Sequence, residues 1–149
     1  MRTDVKRRGW TISAEGNDLA DRFLESVFFT GNGRMGARGY PAYRPIRRPL
    51  DAGLFLAGFY DRISDSTELT DFVNLPTPIW YQIRLNGRIP AIPSHLSRAL
   101  DLRTGLLTFR YRLSIADDWV DVQEQRFFSL AKPSFLFQRL EFQGRGQVE

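Results

Sequence analysis

Four carboxylates in the first half of the chain, Glu25, Asp61, Glu68 and Asp71, are the groups best suited to acid–base chemistry. Such a site needs one carboxyl that gives up a proton and a geometry that holds it against the substrate. Each also has a structural reading. Glu25 precedes a strand and reads as a hydrogen bonder, Asp61 and Asp71 suit turns, and Glu68 reads as surface. The structural reading is taken for all four. His95 is the single histidine. A Ser/His/Asp triad would have to use it, but it follows Pro93 in a loop and reads as a surface residue. The chain has no cysteine, which excludes a disulfide, a thiol nucleophile and a thiolate metal site. One histidine excludes a histidine metal cluster. The run GNGRMG has the glycines of a phosphate loop, but no Gly-Lys-Ser/Thr and no following helix, so it fails that test.

Binding chemistry has more candidates. The net charge is +4, and only Lys6 and Lys132 are lysines. Arg2, Lys6, Arg7 and Arg8 crowd the N-terminus. Arg34, Arg38, Arg44, Arg47 and Arg48 form a second group with no acid among them. Arginine suits planar, bidentate recognition of carboxylate or phosphate. Nucleic acid is not favoured as a partner, because single-strand binding needs interleaved aromatics and only Tyr40 and Tyr43 supply them. Trp10, Trp80, Trp119, Tyr40, Tyr43, Tyr60 and Tyr81 offer apolar faces on which sugar rings can stack. The favoured alternative for these rings is packing in the core and at the edges of a β fold. Arg34, Arg38, Tyr40, Tyr43, Trp80 and Trp119 are the candidate contacts to a sugar or a partner.

The elements that must position these residues start from Glu25 to Gly39, ESVFFTGNGRMGARG. It reads as two short strands folded about Gly31-Asn32-Gly33, where glycine and asparagine tolerate positive φ. Gly36 and Gly39 mark a bulge or a close backbone contact. The first nine residues read as a loose lead-in, with a short strand from Trp10 to Ser13 and a helical turn or loop over Leu19 to Glu25. Tyr40 to Pro49, with three prolines, is a loop. Leu54 to Tyr60 is a continuous apolar run that suits a strand buried on both faces. Ile79, Tyr81, Ile83 and Leu85 alternate with Trp80, Gln82 and Arg84, and Asn86-Gly87 is a strong hairpin signal. Leu96 to Leu102 and Leu107 to Leu113 read as further strands. Trp119 to Leu130 reads as a long strand whose alternation slips around Glu124, which suggests a bulge or bend. Phe135 to Phe142 is the last strand, and Gln143 to Glu149 reads as frayed. Short strands with hairpin chemistry between them give an all-β, antiparallel β-sandwich of one domain spanning 1–149. No apolar run is long enough to span a bilayer and no signal peptide is evident, so a cytoplasmic protein is expected, with no membrane partner.

The segment ESVF followed by GNGRMGARG resembles the start of the N-terminal domain of glycoside hydrolase family 65, the maltose, trehalose and kojibiose phosphorylases and related hydrolases. The resemblance continues through LFLAGFYD, through LTDFVNLP, through LDLRTGLL, which is similar almost letter for letter, and through QRFFSLAKPSF. It covers about Trp10 to Phe142. Arg34-Met35 departs from the Tyr-Leu that commonly follows GNG in the family. The resemblance implies a supersandwich of the galactose mutarotase-like kind, here incomplete, since the family's sandwich domain is longer than 149 residues. It also implies inverting chemistry carried out in an (α/α)6 barrel, which holds the catalytic acid and the phosphate site and is absent from this chain. The chain on its own is therefore expected to be non-catalytic and without a cofactor. Its partners would be the barrel, which it would buttress, and a second copy in a homo-oligomer. A stand-alone carbohydrate-binding module and a basic nucleic-acid-binding β protein are the alternatives.

Overall fold

The computed structural model describes residues 4–16, 22–43, 53–62, 70–90 and 93–149, the side chains of 62 and 70 apart. The elements are β1 (Val5–Arg8), β2 (Thr11–Glu15), α1 (Arg22–Val27), β3 (Thr30–Gly31), β4 (Met35–Ala37), β5 (Leu54–Leu56), β6 (Tyr60–Arg62), β7 (Thr70–Phe72), β8 (Ser94–Asp101), β9 (Leu106–Ile115), β10 (Asp118–Phe128) and β11 (Leu136–Arg145). A six-stranded sheet runs β1-β2-β8-β9-β10-β11, and smaller sheets are β3-β4-β5 and β6-β7. All pairings between strands are antiparallel. The fold is an all-β, antiparallel sandwich whose long sheet forms one layer.

Period-two alternation builds that layer. Leu107, Phe109, Tyr111 and Leu113 of β9 point inward with Val120 and Val122 of β10. Leu24 and Phe28, from the helix and the turn after it, close over them together with Tyr43 and Ile83. Burying one such Leu or Phe side chain contributes about 1.5–3 kcal/mol, so the core rests chiefly on the three central strands. A second cluster, Ala37, Tyr40, Ala42, Leu54, Ile79 and Phe128, lies under the small sheet.

Several expectations are corrected. The lead-in is not loose: Val5–Arg8 pairs with Arg8↔Thr11 to Val5↔Ala14 on the edge of the long sheet. The C-terminal tail is not frayed: β11 runs to Arg145, Glu149 exchanges two backbone hydrogen bonds with Arg84, and the Gln147 carbonyl accepts the Asn86 N–H while the Gln147 N–H donates to Asn86 Oδ1. Neither segment carries a strong apolar pattern, and only the neighbouring strand orders it. Leu54 to Tyr60 is two short strands broken at Ala57-Gly58, where Gly58 takes φ +82°, and Phe59 and Tyr60 are about half exposed. Ile79 to Leu85 keeps its expected inward face, with Ile79, Ile83 and Leu85 buried, but makes only isolated bridges. The Asn86-Gly87 turn does form, with positive φ at both residues and two hydrogen bonds between Leu85 and Arg88. Of the two short strands expected over Glu25 to Gly39, the first is reduced to β3, because its earlier residues form the end of α1 and a turn. No bulge occurs at Glu124, because β10 keeps an unbroken register with both neighbours. The irregularity lies in β8 between Ser94 and Ser97, where His95 takes φ +54°. No helix among the described residues is long and apolar enough to cross a membrane.

Candidate functional site

The hairpin is held by Asn32. Its side-chain carbonyl accepts the N–H groups of Arg34 and Met35 at 3.1 and 3.0 Å, closing the turn. Its amide donates to the carbonyls of Ser129 (2.7 Å) and Pro133 (3.0 Å), which pins the tip to the β10–β11 connection. Gly33 takes φ +83° with open space around it, so glycine is required there for conformation. Gly36 and Gly39 both sit at close approaches, as the sequence suggested: a Cβ would meet the Phe29 ring at one and the Phe28 backbone at the other.

Beneath the hairpin lies a charged pair that the sequence reading missed. Glu124 and Arg126 are fully buried on the inward face of β10. The Arg126 Nη1 donates to Glu124 Oε1 at 3.4 Å, and its Nη2 donates to the Arg38 carbonyl at 2.8 Å. Glu124 Oε2 accepts the Ala42 N–H at 2.8 Å, and Gln138 Nε2 reaches Glu124 Oε1 at 3.2 Å. The Arg126 guanidinium lies 5.2 Å from the Tyr40 ring centre and 5.1 Å from that of Phe109. The pair thus fastens residues 38–42 to the long sheet. Burial pushes the Glu124 carboxyl above its ordinary range, opposed by the Arg126 charge and the Ala42 and Gln138 donors. Burial likewise lowers Arg126, opposed by Glu124. The signal was present in the sequence, since Val120, Val122, Glu124, Arg126 and Phe128 share one parity.

The six candidate contacts do not form one site. Tyr40 and Tyr43 are buried, which agrees with the favoured core-packing reading and corrects their place among the candidate contacts. The Tyr40 hydroxyl donates to Thr77 Oγ1 at 2.9 Å, and that of Tyr43 donates to the Pro90 carbonyl while its ring stacks on Tyr111. Arg34 is exposed at the hairpin tip. Arg38 lays its stem over Gly53. Trp80 is 38% exposed. Trp119 lies on the outward face of β10 beneath the Arg112 guanidinium, 4.1 Å away, and Arg112 in turn grips Asp121 with two 2.7 Å bonds. That face also carries Arg110, Gln123 and Glu141 hydrogen-bonded in a row across three strands, with His95 beside them. Arg44, Arg47, Arg48 and Glu68 lie outside the described residues.

Three of the sequence candidates do meet. Glu25, Arg38 and Asp71 line a polar cavity of about 260 Å³ with Arg22 and Asn74. Asp61 faces Asp71 across the β6–β7 pair, and both are exposed. Beside this cavity an apolar groove of about 500 Å³ opens along the hairpin. Phe29, Phe55, Phe72 and Tyr60 line it in an unbroken chain of ring contacts, with centroids 6.3, 6.0 and 5.0 Å apart. Phe29, Phe72 and Tyr60 are 44, 54 and 54% exposed. Among the described residues, no group of His, Cys, Asp and Glu is placed to hold a metal ion.

The inward tyrosines give a pH prediction. Burial raises Tyr40, Tyr43, Tyr81 and Tyr111 above the ordinary phenol value. A folded-state pKa above the unfolded one contributes stability that is present at lower pH. That contribution is lost as pH rises from about 10 through the folded value. Alkaline titration is expected to show phenolate absorbance from these rings rising together with loss of the circular dichroism signal. Ionisation of all five tyrosines with the fold intact would contradict this.

The match to known proteins follows the same stretch of chain. The profile for the glycosyl hydrolase family 65 N-terminal domain matches residues 14–148. The trehalose 6-phosphate phosphorylase of Lactococcus lactis subsp. lactis (strain IL1403) is 26% identical over 123 residues, covering 75% of this chain and 16% of that protein. A solved structure from the human microbiome, provisionally assigned as a kojibiose phosphorylase, superposes with a TM-score of 0.79 at 17% identity. That superposition covers 94% of this chain and 20% of the other. The chain therefore spans about a sixth to a fifth of the length of these relatives. It belongs to the family of the glycosyl hydrolase family 65 N-terminal domain.

Proposed function

We propose that the chain is a non-catalytic segment of the N-terminal domain of a family 65 disaccharide phosphorylase or hydrolase, acting in carbohydrate metabolism in the cytoplasm. Its role is to seat a catalytic barrel and to take part in assembly. The observation that carries this is the aromatic groove along the hairpin. Phe29, Phe55, Tyr60 and Phe72 form a continuous apolar surface on a chain whose relatives are several times longer. A contiguous exposed apolar patch rimmed by polar groups marks a docking site, and here the rim is the polar cavity of Glu25, Arg38 and Asp71. The two buried tyrosines argue against a stacking platform for sugars built from the loop after the hairpin.

The test is co-expression with the barrel region of a family 65 phosphorylase that lacks its own first segment. The wild-type chain is expected to co-purify with it and to raise its soluble yield. Phe72→Asp and Phe55→Asp are each expected to abolish both effects while leaving the circular dichroism of the isolated chain unchanged. Equal co-purification by the two variants overturns the reading, as does disaccharide phosphorolysis by the isolated chain.

A further inference from the structure

The outward face of the long sheet carries a trough that crosses β9, β10 and β11. Two rungs of side chains form its walls. On the first rung Arg110 Nε donates to Gln123 Oε1 at 2.8 Å, and Gln123 Nε2 donates to Glu141 Oε2 at 2.7 Å. The strand register aligns Arg112, Asp121 and Gln143 as the second rung, and there Arg112 holds Asp121 with two 2.7 Å bonds. The rungs stand two residues apart on every strand, a spacing of about 7 Å. Between them the floor is the chain at Tyr111, Val122 and Phe142; the Tyr111 and Val122 side chains are buried on the inward face. The depression measures about 870 Å³, within the range of about 300–1,000 Å³ of small-molecule sites. His95 lines its β8 side. That residue lies in the irregularity of β8 between Ser94 and Ser97 and takes φ +54°, a conformation that a non-glycine residue holds at a cost. A bulge re-aims side chains, and this one sets His95 beside Asp121. The Asp121 carboxyl is held below its ordinary range, chiefly by its bond from Arg112, with His95 adding to the effect.

The inventory of groups selects the ligand. The formal charges of Arg110, Arg112, Asp121 and Glu141 cancel, so these walls favour neither an anion nor a cation. Donors remain unused: Arg110 spends only its Nε, and Arg112 only its Nε and Nη2, on partners among the described residues. The two carboxylates keep lone pairs beyond the bonds they accept. A hydroxyl donates and accepts at once, so a ring edged with hydroxyls can bridge an arginine N–H and a carboxylate oxygen on either wall. The wall groups are already fixed by their mutual bonds, so little ordering cost falls on binding. We propose that this trough binds a neutral saccharide of one or two rings, held edge-on between the two rungs. The trough shares no residue with the aromatic groove along the hairpin, so saccharide binding and barrel binding succeed or fail separately.

The test is titration of the ¹⁵N-labelled chain with maltose, cellobiose and lactose, followed by amide chemical shifts. At least one of the three is expected to move the amides of Tyr111 and Val122 and to leave those of Phe29 and Phe72 in place, with a millimolar dissociation constant. Arg110→Ala and Gln143→Ala change exposed side chains. Each is expected to weaken binding about tenfold and to leave the remaining amide spectrum unchanged. Lys132→Ala removes the same charge as Arg110→Ala from an exposed position outside the trough and is expected to bind like the wild type. Inorganic phosphate is expected to leave the Tyr111 and Val122 amides unmoved. No movement with any of the three sugars, movement centred on Phe29 and Phe72, movement with phosphate, or equal weakening by Lys132→Ala overturns the proposal.

Discussion

Arg126→Ala is expected to lower the unfolding free energy by about 3–5 kcal/mol, the usual cost of breaking a buried ion pair from one side. The reason is what it leaves behind. Glu124, fully buried, would lose the charge that most offsets its desolvation. The Arg38 carbonyl would lose its 2.8 Å donor, and a cavity would open between Tyr40 and Phe109. The loss should depend on pH in a definite direction. Burial already raises the Glu124 pKa above its unfolded value, and removing Arg126 raises it further. A raised folded pKa means that the folded state binds the proton more tightly. The deficit should therefore shrink as pH falls toward about 4.3, the unfolded glutamate value, and be largest near neutrality. Urea melts at both pH values check this. The paired replacement E124L/R126M should recover part of the loss, because no buried charge remains. It should not recover all, because the Ala42 N–H that Glu124 accepts at 2.8 Å would be left without that acceptor, a cost of about 1–3 kcal/mol. A single-variant cost below about 1 kcal/mol, the range of exposed pairs, would show that the seam does not hold residues 38–42.

Gly39→Ala is expected to cost about 3 kcal/mol, the upper part of the range for overpacking a closed site. Gly39 does not sit at positive φ, so the requirement is for space. A Cβ there would lie 2.5 Å from the carbonyl oxygen of Phe28, whose side chain is fully buried under the long sheet. The Gly39 N–H also donates to the Glu25 carbonyl at 2.8 Å, which fixes the strand exit against α1. Neither partner can retreat without disturbing the core. Gly36→Ala makes the contrast. Its Cβ would meet the outer end of the Phe29 ring at 2.5 Å and the Thr30 carbonyl oxygen only at 3.1 Å, and that ring is 44% exposed and can swing aside. A cost of about 1 kcal/mol or less is expected for Gly36→Ala, read from thermal or urea unfolding of both variants. Equal costs at the two glycines would remove the distinction between a backbone and a side-chain neighbour.

The sequence by itself determined whatever depends on local chemistry. The two-residue turn at Asn86-Gly87, the Gly31-Asn32-Gly33 tip and the period-two strand over β9 all rest on φ preference or side-chain alternation within a few residues. The close-contact role of Gly36 and Gly39 was legible for the same reason, and the motifs around them carried the family. Only the tertiary structure decided the rest. Leu54 to Tyr60 reads as one buried strand because an apolar run does not say which of its faces will find cover; Phe59 and Tyr60 stay about half exposed. Tyr40 and Tyr43 lie in a stretch that reads as a loop, and whether their rings stack on a ligand or pack in the core is decided by Arg126, Phe109 and Tyr111 from distant strands, which enclose them. Glu124 looked like a break in the alternation because a charge is not expected inside. It is inside because partners at residues 42, 126 and 138 converge on it, and the Ala42 contact joins positions 82 residues apart. Desolvating a charge costs several kcal/mol unless such partners are in place, and no local window of sequence contains them.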